Sequence, residues 1–464
     1  MKAAATGTVP AEQGPAVSLR EATRVWAKIG LLSFGGPAGQ IALMHRELVD
    51  KRRWISDARF LHALNYCMLL PGPEATQLAI YIAWLLHRTV GGLIAGVLFV
   101  LPGFVTILAL SVVYALYGQI PLVLMVFTGL KAAVLAVVVE AVIRIGRKAL
   151  KNRLMVVIAA LAFVAIYFLR VPFPLIVLGA GLCGLLGRWW MPGSFPAPAS
   201  AAADASSDYL IDRLLGQGGL RHTQPSALRA VRIVLLWLAI WWQPVLAVIA
   251  LFGRNSVLAG EGLFFSQTAV VTFGGAYAVL AYIAQRAVGS FHWVTPGQML
   301  DGLALAETTP GPLIMVVQFV AFLGAYHHQQ GMSPMSAGIA GSVLTTWVTF
   351  APCFLWIFLG APYIEALRRN RALHAALSAV TAAVVGVVLN LSVWFTLHTV
   401  FAQVGERQIG WVHVEMPAWA TLQWPSALIA AAAMLAMLRF KIGMGWVLFA
   451  SSLVSVLWLS ASGR

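Results

Sequence analysis

The chain has 464 residues, of which 60% are hydrophobic and 10% charged, with a net charge of +15. Soluble domains carry about a quarter charged residues, so the composition sets aside an ordinary soluble protein and fits an all-α polytopic membrane protein. The basic excess does not point to nucleic acid, because Lys and Arg sit in short loops beside apolar runs, where they orient spans.

In chain order, residues 1–19 form a tail expected in the cytoplasm, and Met1–Ser18 has no apolar core of a signal peptide. A first repeat covers 20–190. It opens with two interrupted apolar segments, 20–45 and 60–86, and continues with complete spans at 90–117, 121–143, 154–170 and 173–190. A polar, Ala/Ser/Pro-rich stretch, 191–226, is expected to be a flexible linker. An unpaired apolar run, 227–252, serves as a linking transmembrane helix. A second repeat, 253–464, again has two interrupted segments, then spans at 337–364, 373–398, 424–438 and 442–460.

The repeats match at one spacing. Phe34-Gly35-Gly36, Trp54 and Pro71-Gly72-Pro73 recur 239 residues later as Phe273-Gly274-Gly275, Trp293 and Pro310-Gly311-Pro312. After an insertion of eleven, Pro102 pairs with Pro352, Lys131 with Thr381 and Glu140 with Asn390. Loop charges set the relative orientation. Arg46, Lys51, Arg52, Arg53 and Arg59 face a counterpart loop holding only Arg286. Arg144–Arg153 faces a region without Lys or Arg until Arg407, and the bare Tyr117–Pro121 faces Arg368, Arg369 and Arg371. Basic loops are cytoplasmic, so the copies are inverted. Placing both basic clusters of the first copy on one side requires re-entrant hairpins. The expected total is nine full spans and four hairpins.

The interruptions are the first chemical signal. A helix restarting after Gly35-Gly36 or Gly274-Gly275 presents free N–H groups and the positive end of its dipole, a geometry that binds anions; the alternative is close packing through small residues. Pro73 and Pro312 suit the first turn of a following helix. Thr308, Thr309, Asn65, Gln77 and Gln318 offer donors to an anion's oxygens or satisfy the broken backbone. Charges in apolar stretches are the second signal. Lys131 lies mid-span and is suited to neutralise an anion. Glu74, Glu140 and Glu307 are candidates for proton coupling or helix-end charges. Arg88, Trp54, Trp189, Trp190, Trp241 and Trp242 are expected as interfacial anchors. Cys67, Cys183 and Cys353 lie far apart and read as small buried residues; neither they nor His327-His328 suggest a metal or other cofactor.

With its paired FGG and PGP motifs, Trp54 and inverted halves, the chain resembles the chromate ion transporter family in its long two-domain form, from about residue 20 onward. The resemblance implies a bacterial inner-membrane exporter of chromate, driven by the proton motive force and conferring metal resistance. It places the family's motifs at Phe34, Gly35, Gly36, Pro71, Gly72 and Pro73 and at their second-half partners. Glu74, Lys131 and Glu140 have no second-half counterparts, so the halves are expected to play unequal roles. Partners are then chromate or a sulfate-like oxyanion, protons and membrane lipid; oligomeric state stays open, a homodimer included. The competing readings are a sulfate transporter, a passive anion channel, and an enzyme acting on a lipid-linked anion, for which no nucleophile–base spacing exists.

Overall fold

A computed structural model describes residues 17–190, 209–216, 221–273, 276–329, 331–364 and 371–461. Gly274, Gly275, Arg368, Arg369 and most of the 191–226 stretch lie outside the described residues, as do the side chains of Trp189 and Trp190. The first half contains α1 (Leu19–Leu31), α2 (Gly36–His45), α3 (Asp57–Cys67), α4 (Glu74–Tyr117), α5 (Pro121–Ala149), α6 (Arg153–Tyr167) and α7 (Phe173–Trp190). Next come α8 (Leu210–Gly216) and α9 (Ala227–Phe252). The second half contains α10 (Val257–Val271), α11 (Ala276–Gly289), α12 (Pro296–Thr308), α13 (Val316–His327), α14 (Pro334–Gly360), α15 (Arg371–Val400), α16 (Trp424–Leu438) and α17 (Met444–Ala461).

Local chemistry repeats between halves. Ser56 caps α3 by accepting from the Arg59 amide, and Thr295, its counterpart, caps α12 through a full capping box with Gln298. The Trp54 amide donates to Leu48 O at 2.8 Å, and the Trp293 amide donates to Ala287 O at 2.8 Å. Within α4, His87 and Arg88 leave helical geometry (Arg88 φ 54°). They divide the arm 74–86 from the long helix after it. Pro102 and Pro352 sit inside α4 and α14, where each removes one backbone donor.

Packing is reciprocal. α1 lies on α4 as α10 lies on α14; α5 packs against α16 and α17, while α15 packs against α6 and α7. These crossings are close because glycine sits at them. A Cβ added to Gly129 would lie 2.3 Å from the Ser451 carbonyl oxygen.

Several expectations change. Among the described residues, six helices are long and apolar enough to cross a membrane: α4, α5, α9, α14, α15 and α17. The expected spans at 154–170, 173–190 and 424–438 appear at those places as the shorter apolar helices α6, α7 and α16, α6 and α16 having 15 residues each, about 22 Å at 1.5 Å per residue. Pro425 occupies the first turn of α16, where proline is well tolerated. The fold is not purely helical: β1 (Val404–Ile409) and β2 (Val412–Pro417) form an antiparallel hairpin. Gly410 opens its two-residue turn at φ 62°, as primed hairpin turns need. Nor is the linker wholly loose. Asp212 of α8 accepts from the Ser56 amide and hydroxyl and from Arg59 Nε at 2.8 Å. Trp54 and Trp241 are 3% and 4% exposed, buried in protein rather than set at an interface; the Trp54 carbonyl accepts from the Ile211 amide.

A charged rim fixes the loop after α2. Glu47 is buried and bonds Lys28 at 3.1 Å, Lys51 at 2.8 Å and Arg52. Burial raises its carboxyl, but the hydrogen bonds from Lys51, Arg52 and Lys28 outweigh that and hold it at about 2. A depressed carboxyl stabilises the fold above its ordinary value of 4.5, and that contribution fades as pH falls toward 2. Glu47→Gln is expected to lower stability at neutral pH by about 1–2 kcal/mol, discounted because Lys28 and Lys51 are half-exposed; thermal unfolding in detergent measures it. Gly129→Leu is expected to cost at least about 3 kcal/mol by overpacking. Gly179→Leu, with nothing within 4 Å of its Cβ position, leaves the melting temperature unchanged in the same assay.

Candidate functional site

The breaks of the two halves meet, joined through their backbones. The Gly72 amide donates to Thr272 O at 2.8 Å, and the Gly311 amide donates to Ser33 O at 2.9 Å. Gly72 and Gly311 are repeat partners, and so are Ser33 and Thr272. Each PGP glycine of one copy therefore holds the residue before the FGG motif of the other. Both need glycine, since φ is 118° at Gly72 and 105° at Gly311. The long helices complete the junction. A Cβ added to Gly311 would lie 2.9 Å from Gly103 Cα, next to Pro102 in the chain. Reciprocally, one added to Gly72 would lie 3.3 Å from Cys353 Sγ, next to Pro352.

Side chains satisfy much of what the breaks leave open. Gln77 Nε2 donates to Pro71 O at 2.7 Å, Gln40 Nε2 to Gly311 O at 2.5 Å, and Gln318 Nε2 to Phe104 O at 3.0 Å. The hydroxyls of Thr308 and Thr309 donate to carbonyls of their own helix. Gly35 and Gly36 take left-handed φ values of 86° and 65°, and α2 starts there with Pro37 in its first turn and no side-chain cap. Among the described residues no side chain accepts from its first amides, which are those of Gly36, Ala38 and Gly39 since Pro37 has none. Pro73 likewise leaves α4 without a side-chain cap.

The carboxylates are unequal. Glu307 ends α12 fully buried. Its Oε1 accepts from Tyr277 at 2.6 Å, and Oε2 has no hydrogen-bond partner among the described residues. That oxygen lies 3.9 Å from a Cβ position on Gly36, so a second-copy carboxyl sits at the start of a first-copy helix. Arg144 and Glu140, 3.9 Å apart on α5, are the charged groups acting on it. Glu74 opens α4 and lies beside Cys67.

Lys131 is not a free ammonium. Its Nζ lies 3.2 Å from Asp301 Oδ1, and Tyr114 donates to Oδ2 at 2.8 Å. The trio ties α12 to α5 and α4. The repeat partner of Asp301 is His62 and that of Lys131 is Thr381, so no like-for-like ion pair exists on the other side. Exposure differs accordingly. Leu61 and Met68 on the α3 arm are 45% and 46% exposed, and Phe34 is 48% exposed; their partners Leu300 and Glu307 on α12 are 0% and 2%.

The structure therefore brings together Phe34, Gly35, Gly36, Pro71–Pro73, Phe273, Thr309–Pro312 and Glu307. Lys131 joins a separate pair, and Glu140 pairs with Arg144. Sequence reading missed Tyr277, Asp301, Tyr114 and Glu261, and it counted Arg144 only as a loop charge. Asp301 and Glu261 carried a usable signal, a carboxylate inside an apolar run; the two tyrosines carried none.

Six helices among the described residues, each long and apolar enough to cross a bilayer, define a multi-pass membrane protein. The chromate transporter family profile matches residues 20–185 and 262–456, so the chain belongs to that family. It is 34% identical over 390 residues to a chromate transport protein of Pseudomonas aeruginosa, covering 83% of this chain and 82% of that one. It is 29% identical over 379 residues to a chromate transport protein of Cupriavidus metallidurans, covering 81% and 82%. A probable chromate transport protein of Synechococcus elongatus is 27% identical over 378 residues, covering 81% and 84%. No solved structure matches.

Removing one partner of a largely buried pair strands the other charge, whereas removing both does not. Asp301→Asn and Lys131→Met are each expected to destabilise by about 2 kcal/mol, reduced from the fully buried value because Lys131 is 24% exposed. The double variant is expected to recover at least half of the summed loss, read from a thermal double-mutant cycle.

Proposed function

We propose that the protein is a secondary active transporter that exports chromate from the bacterial cytoplasm across the inner membrane, coupled to protons. The observation that carries this reading is the reciprocal pair of backbone bonds, Gly72 to Thr272 and Gly311 to Ser33. It gathers the broken helix ends of both halves at one locus, the arrangement that transporters built from inverted repeats use for their substrate. Chromate is a tetrahedral dianion. The uncapped start of α2 supplies N–H donors and partial positive charge, and Arg144 supplies a nearby full charge. Phe34, Phe273 and the PGP prolines shape the seat, with the hydroxyls of Thr308 and Thr309 at its edge.

The halves are inverted, with the N-terminus, the α1–α2 and α3–α4 arms and Arg144 on the cytoplasmic side. In that frame α12 lies against α5 on the outer side, locked through Lys131, Asp301 and Tyr114, while the facing side of α3 is exposed at Leu61, Asn65 and Met68. This is an inward-facing arrangement. Export needs the opposite one, in which the Lys131–Asp301 pair opens and α3 closes against α15. Glu307, beside the α2 start, sets the local charge an arriving dianion meets; Glu74 and Glu140 flank the route. Sulfate has the same shape and charge and is the expected competitor.

The test is flux of chromate in proteoliposomes, with and without a pH gradient, in the presence of sulfate. A transporter gives saturable flux accelerated by the gradient, whereas linear, gradient-insensitive flux identifies a channel and overturns the proposal. Arg144→Gln is expected to raise the KM for chromate about tenfold, the loss of one charge-assisted hydrogen bond at about 1.4 kcal/mol, while kcat changes less.

A further inference from the structure

Glu261 has no role in the site above, and its surroundings are specific. It lies on α10 one turn in from the helix start and is 0% exposed. No side chain hydrogen-bonds either carboxyl oxygen among the described residues, and the backbone of Ala325 is the one group within hydrogen-bonding reach of it. Two glycines make the room it occupies: a Cβ on Gly324 of α13 would lie 2.8 Å from Oε1, and one on Gly341 of α14 would lie 2.7 Å from Oε2. In the first half the matching residues are Ala22, Leu85 and Gly91. The volume that a leucine fills in one copy is given to a carboxyl in the other, so the second copy is shaped around this acid.

Ala325 links the acid to an opening at the helix ends. A small cleft at the end of the same helices is lined by Ser256, Leu258, Ala325, His328 and Ala337. The backbone of Ala325 adjoins the carboxyl, and the His328 ring bonds Gly324 O at 3.1 Å. The titratable side chains on the helices packed against α10 are Arg229 and Arg232 on α9, Tyr277, Tyr282 and Arg286 on α11, Tyr326 and His327 on α13, and Cys353 on α14. None of them is hydrogen-bonded to the Glu261 oxygens among the described residues. An unpaired carboxylate in such a place is far costlier than the neutral acid.

We propose that Glu261 is a proton-binding site, carrying its proton in this arrangement and exchanging it through the His328 cleft. The assignment of that cleft to the extracytoplasmic side rests on the proposed inverted topology. The linkage to transport is mechanical. α10 runs from Glu261 directly into Thr272, whose carbonyl holds Gly72 of the other copy. The distance is eleven residues, about 16 Å of one rigid helix. Ionising the carboxyl in a tight seat where no side chain hydrogen-bonds it forces α10 to repack against α13 and α14, and that movement is delivered to the junction of the breaks.

Infrared titration of the full-length protein in nanodiscs tests the site without requiring transport. The wild type is expected to show a protonated-carboxyl band at neutral pH that Glu261→Gln, nearly isosteric and neutral, removes. Identical spectra overturn the proposal. In proteoliposomes, Glu261→Gln is expected to retain chromate-for-chromate exchange within about twofold and to lose acceleration by a gradient acid on the cleft side. Retained acceleration overturns it, and so does equal loss of exchange and acceleration. If the wild type exchanges neither chromate nor sulfate, the proposed function fails by itself, and the infrared result still decides whether Glu261 holds a proton.

Discussion

A broken helix inside a membrane strands backbone amides and carbonyls where water cannot pair them, and each orphan costs several kcal/mol. The rest of this structure follows from how that cost is met. Each half satisfies the other's breaks: the glycine amide of one PGP motif is paired with the carbonyl just before the opposite FGG motif. Neither half can close its own breaks in this way. The two copies are thus interdependent at the point where both are weakest, and the groups left over, the first amides of α2 above all, are the ones available to a substrate.

The symmetry of that junction makes the departures from it informative. Backbone partners, caps and helix-interior prolines repeat between halves, whereas charged side chains do not. The Lys131–Asp301–Tyr114 trio ties α12 to one side, and the matching α3 arm stays exposed. Glu307 is placed against the other copy's helix start, and Glu261 has a seat where the first copy places Ala22 and Leu85. A framework that exchanges its halves needs equal backbones. A cycle with a direction would need unequal charges, and in the proposed mechanism the two requirements fall to different atoms.

Much of this was legible in the sequence because the repeat is written in residues whose backbone roles are strict. Gly72 and Gly311 require positive φ, and prolines mark helix ends, so the shared spacing placed the PGP breaks at matching positions. Membrane class and helix order followed from apolar runs. What was not legible depends on partners distant in the chain. Nothing near Lys131 announces Asp301, 170 positions on, and the docking of α8 by Asp212 onto Ser56 and Arg59 is equally non-local. Trp54 looks like an interfacial anchor until the Ile211 amide is found on its carbonyl. The β1–β2 hairpin sits in a stretch too short and polar to signal a span, and sequence reading passed over its Gly410 turn.

The central claim is that an oxyanion binds where the four breaks converge. The most direct measurement is a structure of the full chain with chromate bound, with chromium located by its anomalous scattering. The account predicts one site within hydrogen-bonding reach of the first amides of α2 and close to Glu307 and the PGP segments. Chromium bound instead at Lys131 and Asp301, or nowhere in the protein at saturating chromate, would contradict it.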